Sequence, residues 1–161
     1  KQICSLFVIL GYDVVIWQNS TENLDDFLKN EIKKLEKVYN ITSSGNYKIE
    51  KNLNNLEKNF TIETLTEDLN IKQKIISKLK FKDNIFSNTS SLSAYDLGEN
   101  INILHFMNPI TTPIVEIYKT ENYKSEDLNK VIKSQKNLSF DIIEVKNIPG
   151  FLVNRILFKN L

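Results

Sequence analysis

The chain has 161 residues, which is enough for one domain with a single hydrophobic core. Hydrophobic residues make up 41% of the sequence and charged residues 25%, as in ordinary globular proteins. The formal net charge of +1 argues against a general nucleic-acid binder, and the single cysteine excludes an internal disulfide and suits a reducing cytoplasm.

The first half of the chain predicts alternating helices and strands. The apolar run at 3–10 ends at Gly11, a residue typical of helix C-termini, and is too short to span a membrane. Strands are predicted at 13–17, 47–50 and 60–65 from their β-branched and apolar residues. Two amphipathic helices are predicted, one capped at 19–21 with Leu24, Phe27, Leu28, Ile32, Leu35 and Val38 on its apolar face, and one through Ile71, Ile75, Ile76 and Leu79.

The second half continues the alternation. Strands are predicted at 84–88, 101–106, 114–119 and 140–146, and a helix at 125–138. The Pro149-Gly150 break precedes a final helix that begins near Phe151. Strands that alternate with helices in this way predict an α/β domain with a mostly parallel sheet.

Four short motifs contain the candidate site residues. They are SNTSSLS at 87–93, LHFMNP around His105, VEI around Glu116 and PGFLVNR at 149–155. Histidine is the side chain whose ordinary pKa lies closest to neutrality. Hydroxyls before it, a carboxylate after it and an Asn beyond a Pro-Gly break are the parts of a His-based proton-transfer site. The alternative is that His105, between Leu104 and Phe106, is a core histidine.

In this order and at these spacings, the four motifs resemble the NAD-binding domain of the L-3-hydroxyacyl-CoA dehydrogenases over nearly the whole chain. The resemblance implies a Rossmann-like doubly wound sheet and NAD-dependent oxidation of L-3-hydroxyacyl-CoA to 3-oxoacyl-CoA. It implies that His105 is the general acid/base and Glu116 its partner, that Ser90 hydrogen-bonds the substrate oxygen, and that Asn154 helps to bind the substrate. The spacing from His105 to Glu116 is one residue shorter than in the family, which either turns Glu116 away or is absorbed by the loop at 111–113.

The resemblance also implies a set of cofactor-binding residues, namely Gln18, Glu67, Lys72, Ser90 and Asn108. For Glu67 and Lys72 the alternative is an ordinary solvent-facing position on a helix. Gln18 occupies a place where NAD enzymes usually have Asp or Glu for the ribose hydroxyls. This leaves NADP conceivable, but no Arg is nearby for a 2′-phosphate, so NAD is the predicted cofactor. One His and one Cys far apart in sequence predict no metal site.

The chain departs from the family in lacking the first strand and the glycine-rich turn. That strand is central in a doubly wound sheet, so we expect its two neighbours to lack a partner. We therefore interpret residues 1–148 as a partial NAD-binding domain and 149–161 as the start of a C-terminal helical domain, and the sequence as part of a longer chain. The resemblance implies an acyl-CoA substrate, a homodimer formed through that helical domain, and no nucleic-acid or membrane partner. The alternatives are a related hydroxy-acid or hydroxyacyl-carrier-protein dehydrogenase, or a non-catalytic remnant.

Overall fold

The computed structural model describes residues 1–56, 60–80, 83–121, 123 and 125–158. A short 3₁₀ turn lies at Leu53–Asn55. The helices and strands follow one another along the chain as α1 (Gln2–Ile9), β1 (Val14–Trp17), α2 (Leu24–Tyr39), β2 (Tyr47–Glu50), β3 (Thr61–Glu63), α3 (Leu69–Ile76), β4 (Ile85–Ser87), α4 (Ala94–Leu97), β5 (Ile101–Phe106), β6 (Ile114–Tyr118), α5 (Asp127–Lys136), β7 (Asp141–Glu144) and α6 (Val153–Phe158). No helix in the described ranges is both long and apolar enough to cross a membrane.

The strands form two sheets whose neighbours are mostly parallel. One sheet contains β1 and β2, and the other has the order β3-β4-β5-β6-β7. Only the β5–β6 pair is antiparallel among the described pairs. The predicted α/β architecture with a mostly parallel sheet is therefore confirmed.

The reversal at β6 was not predicted, because an apolar strand looks the same in either direction. The connection from β5 to β6 has only seven residues, 107–113, and parallel strands need a crossover of a dozen or more. A hydrogen bond from Met107 N to Ile114 O, 3.0 Å long, closes this connection. The short connection therefore requires an antiparallel pair.

Between β1 and β3 there is a gap, which we call the inter-sheet cleft. The two strands belong to different sheets, and no described strand lies between them. The cleft has a volume of about 520 Å³ and is lined by residues 13–17 and 60–65 of the two walls and by parts of α1, α3 and α5. The expectation that two neighbouring strands lack a central partner is confirmed.

Helix α2 begins later than predicted and turns a different face to the core. Its N-cap is Asn23, whose side chain accepts a hydrogen bond from Asp26 N, and not a residue at 19–21. Residues 18–22 instead form a loop in which Gln18 Nε2 donates to Ser20 Oγ and to Glu22 O. Phe27 and Val38, predicted on the apolar face, are exposed, and the buried positions are Leu24, Leu28, Glu31 and Leu35.

Strand β5 is the centre of the core, and all six of its residues are buried. Alternate side chains point to opposite faces of a strand. Leu104 and Phe106 pack on one face with α1 and α5, while Ile101 and Ile103 pack on the other with α3 and α4. His105 shares the second face, at the carboxyl end of the strand.

Candidate active site

His105 and Glu116 are direct neighbours across the antiparallel β5–β6 pair. His105 Nδ1 lies 2.8 Å from Glu116 Oε2, and both residues are buried. The shorter spacing between them therefore does not turn Glu116 away. A carboxylate at Nδ1 selects the tautomer in which Nδ1–H donates, which leaves Nε2 to accept a proton.

The second oxygen of Glu116 binds the start of the C-terminal segment. Glu116 Oε1 accepts hydrogen bonds from Leu152 N and Val153 N, each 2.8 Å long. Phe151, with a positive φ of 43°, turns the chain there, and its ring lies 5.7 Å from the His105 ring. The sequence contains one signal for this contact, the Pro149-Gly150 break, because a helix that starts after a break has unpaired N–H groups. Sequence reasoning did not connect those groups to Glu116.

Glu67 organises the serine-rich turn that follows β4. Its Oε1 atom accepts hydrogen bonds from Thr89 Oγ1, at 2.5 Å, from Ser90 N, at 2.9 Å, and from Ser91 N and Oγ, at 2.9 and 2.7 Å. Burial acts to raise the pKa of Glu67, but the hydrogen bonds from Thr89 and Ser91 outweigh it and lower the pKa to about 2. Glu67 is thus an anchor for the turn that presents Ser90.

Asn154 joins this turn to the His105–Glu116 pair. Its Nδ2 atom donates to Ser90 O at 2.9 Å, and the preceding residue, Val153, donates its N–H to Glu116. The four predicted catalytic residues therefore lie close together, with Ser90 and Asn154 joined by one hydrogen bond, His105 and Glu116 by another, and the two pairs linked through the backbone of Val153 and Asn154. Asn88 adds a further link, since its Oδ1 accepts from Phe106 N at the end of β5.

Lys72 is buried, contrary to the solvent-facing alternative. Its Nζ atom donates to Glu63 Oε1 and Oε2, at 2.9 and 3.0 Å, and to Leu65 O at 3.1 Å. Glu67 Oε2 lies 3.5 Å from the same ammonium. Glu63 also accepts from Ser87 Oγ at 2.6 Å. Glu63 and Ser87 were missed by sequence reasoning, although a charged residue inside an apolar strand is a usable signal.

Gln18 and Asn108 lie where β1 and β5 end, the edge at which open α/β sheets bind ligands. Asn108 Oδ1 accepts from Ile110 N and Thr111 N, so the side chain shapes its own loop. Gln18 Oε1 accepts a hydrogen bond of 3.3 Å from Lys51 Nζ. Lys51 follows β2 and is 33 residues away in sequence, so the fold supplies a cation beside Gln18 that local sequence did not indicate.

A family model described as the NAD-binding domain of 3-hydroxyacyl-CoA dehydrogenase matches residues 1–148. The chain belongs to this family, and NAD is the family's cofactor. Gln18, Glu67 and Asn108 follow the carboxyl ends of β1, β3 and β5, while the four glycines of the chain do not form a G-x-G-x-x-G turn. No group of three or more His, Cys, Asp or Glu within the described residues could hold a metal ion.

Among related sequences is the fatty acid oxidation complex subunit alpha of Acinetobacter baylyi, which is 34% identical over 113 residues. The corresponding subunit of Idiomarina loihiensis is 32% identical over 111 residues. These matches cover 63% and 62% of this chain but only 16% of each relative. The chain thus corresponds to a small part of these curated proteins.

Solved structures share the fold over almost the whole chain. The (S)-3-hydroxybutyryl-CoA dehydrogenase of Ralstonia eutropha superposes with a TM-score of 0.71 at 24% identity, covering 97% of this chain and 62% of that one. An NAD⁺-dependent dismutase, 5-formyl-3-hydroxy-2-methylpyridine 4-carboxylic acid 5-dehydrogenase, superposes with a TM-score of 0.77 at 18% identity, covering 98% and 57%. At these identities the likeness shows the fold alone.

The low pKa of Glu67 predicts an acid-sensitive contribution to stability. A carboxylate whose pKa is lower in the folded state, here about 2, stabilises the fold above its unfolded pKa of about 4.3. That contribution is lost as the pH falls from about 4.3 to about 2. We expect Glu67→Gln to be less stable than the unmodified chain at pH 7, with the difference shrinking across this window.

Urea denaturation at several pH values measures this difference. Glu22→Gln is the matched control, because the Glu22 side chain is exposed and its described hydrogen bond is to Lys1 alone. A stability difference for Glu67→Gln that is constant from pH 7 to pH 2 would contradict the assignment.

The neutral amide of Gln18 beside Lys51 predicts weak discrimination between NAD and NADP. If position 18 faces the adenosine ribose, the carboxylate of Gln18→Asp should accept the ribose hydroxyls with charge assistance, a gain of about 1 kcal/mol for NAD, and should repel a 2′-phosphate. We expect the ratio of Kd for NADP to Kd for NAD to rise in this variant and to rise also in Lys51→Gln, which removes the cation. Titration calorimetry with both nucleotides measures the ratio. If it is unchanged in both variants, Gln18 does not face the ribose.

Proposed function

We propose that the chain contributes the proton-transfer site for NAD-dependent oxidation of an L-3-hydroxyacyl-CoA to a 3-oxoacyl-CoA. The observation that supports this most is the buried His105–Glu116 pair, whose carboxylate binds the backbone of Val153 next to Asn154, which in turn donates to Ser90 O. A core histidine needs only one satisfied nitrogen partner. It does not need a carboxylate that also binds the start of a further helix, nor a hydroxyl turn held beside that helix.

The substrate class comes from the relatives. The curated relatives are named as subunits of a fatty acid oxidation complex, and one structural neighbour is named as a 3-hydroxybutyryl-CoA dehydrogenase. We infer that the substrate is a hydroxyacyl thioester of coenzyme A.

Residues 149–161 follow the segment matched by the family model and are proposed to begin a helical domain. The exposed apolar side chains of Leu152, Ile156 and Leu157 support this proposal.

The proton of the substrate hydroxyl is proposed to pass to His105 Nε2, the ring nitrogen not bonded to Glu116. NAD, when bound, supplies the acceptor for the hydride from C3. The oxygen of the hydroxyl then becomes the keto oxygen, for which Ser90 Oγ is the proposed hydrogen-bond donor. Glu116 carries the charge opposite to the imidazolium that forms, and it holds the ring in one tautomer.

Glu67 and Lys72 are proposed to support the cofactor side of this site. Lys72 Nζ already has three close oxygen partners in Glu63 and Leu65, so its contribution is to hold Glu63 and Glu67 in place. Glu67 in turn fixes the backbone of Ser90. Asn108 is proposed to reach the nicotinamide end, since it follows the strand that contains His105.

Substitution of the pair tests the proposed mechanism. In a full-length enzyme that contains this sequence, since we expect the chain alone to be inactive, His105→Gln should lower kcat with NAD and (S)-3-hydroxybutyryl-CoA by roughly 10²–10⁴, the usual contribution of a positioned general base. Glu116→Gln should lower kcat less, because the imidazole remains. Since the two residues act as a unit, the double variant should lose little more than His105→Gln alone. Equal and measurable rates in all four proteins would contradict the proposal and return His105 to the role of a core histidine.

The Ser90 assignment has a matched control in the same turn. Ser90 and Ser91 both lie beside Glu67, and Ser91 Oγ makes the shorter hydrogen bond, 2.7 Å against 3.4 Å. If Ser90 Oγ binds the substrate oxygen, Ser90→Ala should lower kcat/KM about tenfold, the equivalent of about 1.4 kcal/mol. Ser91→Ala should instead lower stability with little effect on kcat/KM. The reverse pattern would move the substrate contact to Ser91 or remove it.

A further inference from the structure

Two contacts join the segment after β7 to the stretch that contains the serine-rich turn. Asn147 Oδ1 accepts a hydrogen bond of 2.7 Å from Ala94 N, at the first residue of α4. Asn154 Nδ2 donates to Ser90 O at 2.9 Å. Ser90 and Ala94 are the two ends of one short span of the chain, so the segment after β7 holds this span at both ends.

The first backbone N–H groups of α4 have no partner inside that helix. The capping box of Ser93 and Asp96 binds two of the groups in this region, since Ser93 Oγ accepts from Asp96 N and Asp96 Oδ2 accepts from Ser93 N. The N–H of Ala94 lies between them, and its acceptor comes from Asn147, 53 residues further along the chain. The place of α4, and of the turn before it, therefore depends on a side chain beyond β7.

The segment that contains Asn147 is sharply bent over residues 146–151. Ile148 N donates to Lys146 O, and Phe151 N donates to Ile148 O, at 2.8 and 2.9 Å. Phe151 has a φ of 43°, in the left-handed region that residues with a Cβ atom rarely adopt. A residue stays in that region only where the surrounding contacts hold it. The bend is thus a fixed part of the structure, and Asn147 lies within it.

The two sides of the bend are held by different groups. After the bend, two backbone N–H groups donate to Glu116 Oε1, which fixes the chain beside the histidine. Within the bend, Asn147 holds Ala94 and with it the start of α4. Loss of the Asn147 contact would therefore leave the His105–Glu116 pair in place and release α4 together with the serine-rich turn.

Only one half of the Asn147 amide has a partner. Its Nδ2 atom is buried and has no hydrogen-bond partner among the described residues, whereas Oδ1 binds Ala94 N. Asn147→Asp keeps an oxygen at this place and removes the unused donor, while Asn147→Ala removes the oxygen. The two variants therefore differ in whether the acceptor for Ala94 is present.

We propose that Asn147 is a positioning residue for Ser90. By accepting from Ala94 N, it fixes α4 and the serine-rich turn, and so sets the distance of Ser90 Oγ from His105 Nε2. The proposal rests on the proposed function of Ser90 and His105. Since Asn147 acts through Ser90, its removal should lower activity by no more than removal of the Ser90 hydroxyl does.

Hydrogen–deuterium exchange at residue resolution tests the contact itself, in a full-length enzyme that contains this sequence. We expect the Ala94 amide to exchange about tenfold faster in Asn147→Ala, because it loses its partner, and at an almost unchanged rate in Asn147→Asp. The Val153 amide, which Glu116 holds, is the internal control and should change less. Equal acceleration at both amides, or none at Ala94, would overturn the proposal.

A double-mutant cycle with Ser90 tests the positioning role, with NAD and (S)-3-hydroxybutyryl-CoA. In the enzyme with Ser90, we expect Asn147→Ala to lower kcat/KM by about threefold to tenfold. In the Ser90→Ala background the same change should lower it by less than about twofold, because the group that Asn147 positions is gone. Ser91→Ala is the matched background, in which the loss should keep its full size. Asn147→Asp should restore kcat/KM to within about twofold of the unmodified enzyme.

The outcomes distinguish this proposal from the proposed function. Equal losses for Asn147→Ala with and without the Ser90 hydroxyl would show a structural role only, and the role of Ser90 would stand. An unchanged kcat/KM in Ser90→Ala alone would refute the role of Ser90 and this proposal with it. Equal losses in Asn147→Asp and Asn147→Ala would refute the acceptor argument. If Asn147→Ala does not fold, Asn147→Gln takes its place in the cycle, since it keeps the amide and moves the oxygen by one methylene group.

Discussion

The burial of the Glu116 carboxylate is the constraint on which the rest of the site depends. A charged group removed from water is costly unless hydrogen bonds replace the lost solvation. Here the partners come from two places in the chain: the ring of His105 on β5 and the backbone of Leu152 and Val153 after the Pro-Gly break. The carboxylate can be buried only if the sheet, the imidazole and the C-terminal segment are assembled together. The position of α6 is thus set by the same charge that orients the histidine.

A second buried charge supports the other half of the site. Lys72 and Glu63 neutralise each other at the end of β3, and Ser87 extends the contact to β4. Glu67 contacts Lys72 of this pair through one carboxylate oxygen, and its other oxygen accepts the hydrogen bonds of the serine-rich turn. Removal of one member would leave a buried charge unpaired, which is more costly than loss of the bond itself. Glu63 ends β3 and Glu116 lies in the middle of β6. Through their hydrogen bonds these two buried carboxylates help to fix the serine-rich turn and the start of α6.

Much of the fold could be predicted from periodicity and turn residues. The strand at 101–106 agrees with β5 residue for residue, and the order of helices and strands is as expected except for the short α4, which was not predicted. The start of α2 could not be predicted, because several residues able to cap a helix precede it and the loop contacts of Gln18 select Asn23. The direction of β6 was also missed, since hydropathy does not encode direction. Connection length does encode it, and the seven residues between β5 and β6 were available as a signal.

For the site, the motifs identified His105, Glu116, Ser90 and Asn154. The structure brings these four residues together, and their catalytic roles stay predictions. The pairing of Lys51 with Gln18 and of Lys72 with Glu63 depends on which strand ends meet in space. Residues that are neighbours in a single sequence do not indicate which strand ends will meet in the fold. The backbone contacts of Glu116 were missed for a related reason, because backbone donors have no residue type to recognise.

The cross-strand placement of Glu116 has a consequence for which insertions and deletions the chain can accept. Side chains of a strand alternate between faces, so one residue added between Ile114 and Glu116 would move the carboxylate to the opposite face of the sheet. One residue added or removed in the loop at 107–113 leaves the register of β6 unchanged, provided that the loop still closes between Met107 and Ile114. Insertions and deletions among related chains should therefore be found between β5 and β6 and should stop at Ile114. Where the neighbouring residues have diverged, that boundary still shows where the histidine–carboxylate pair lies.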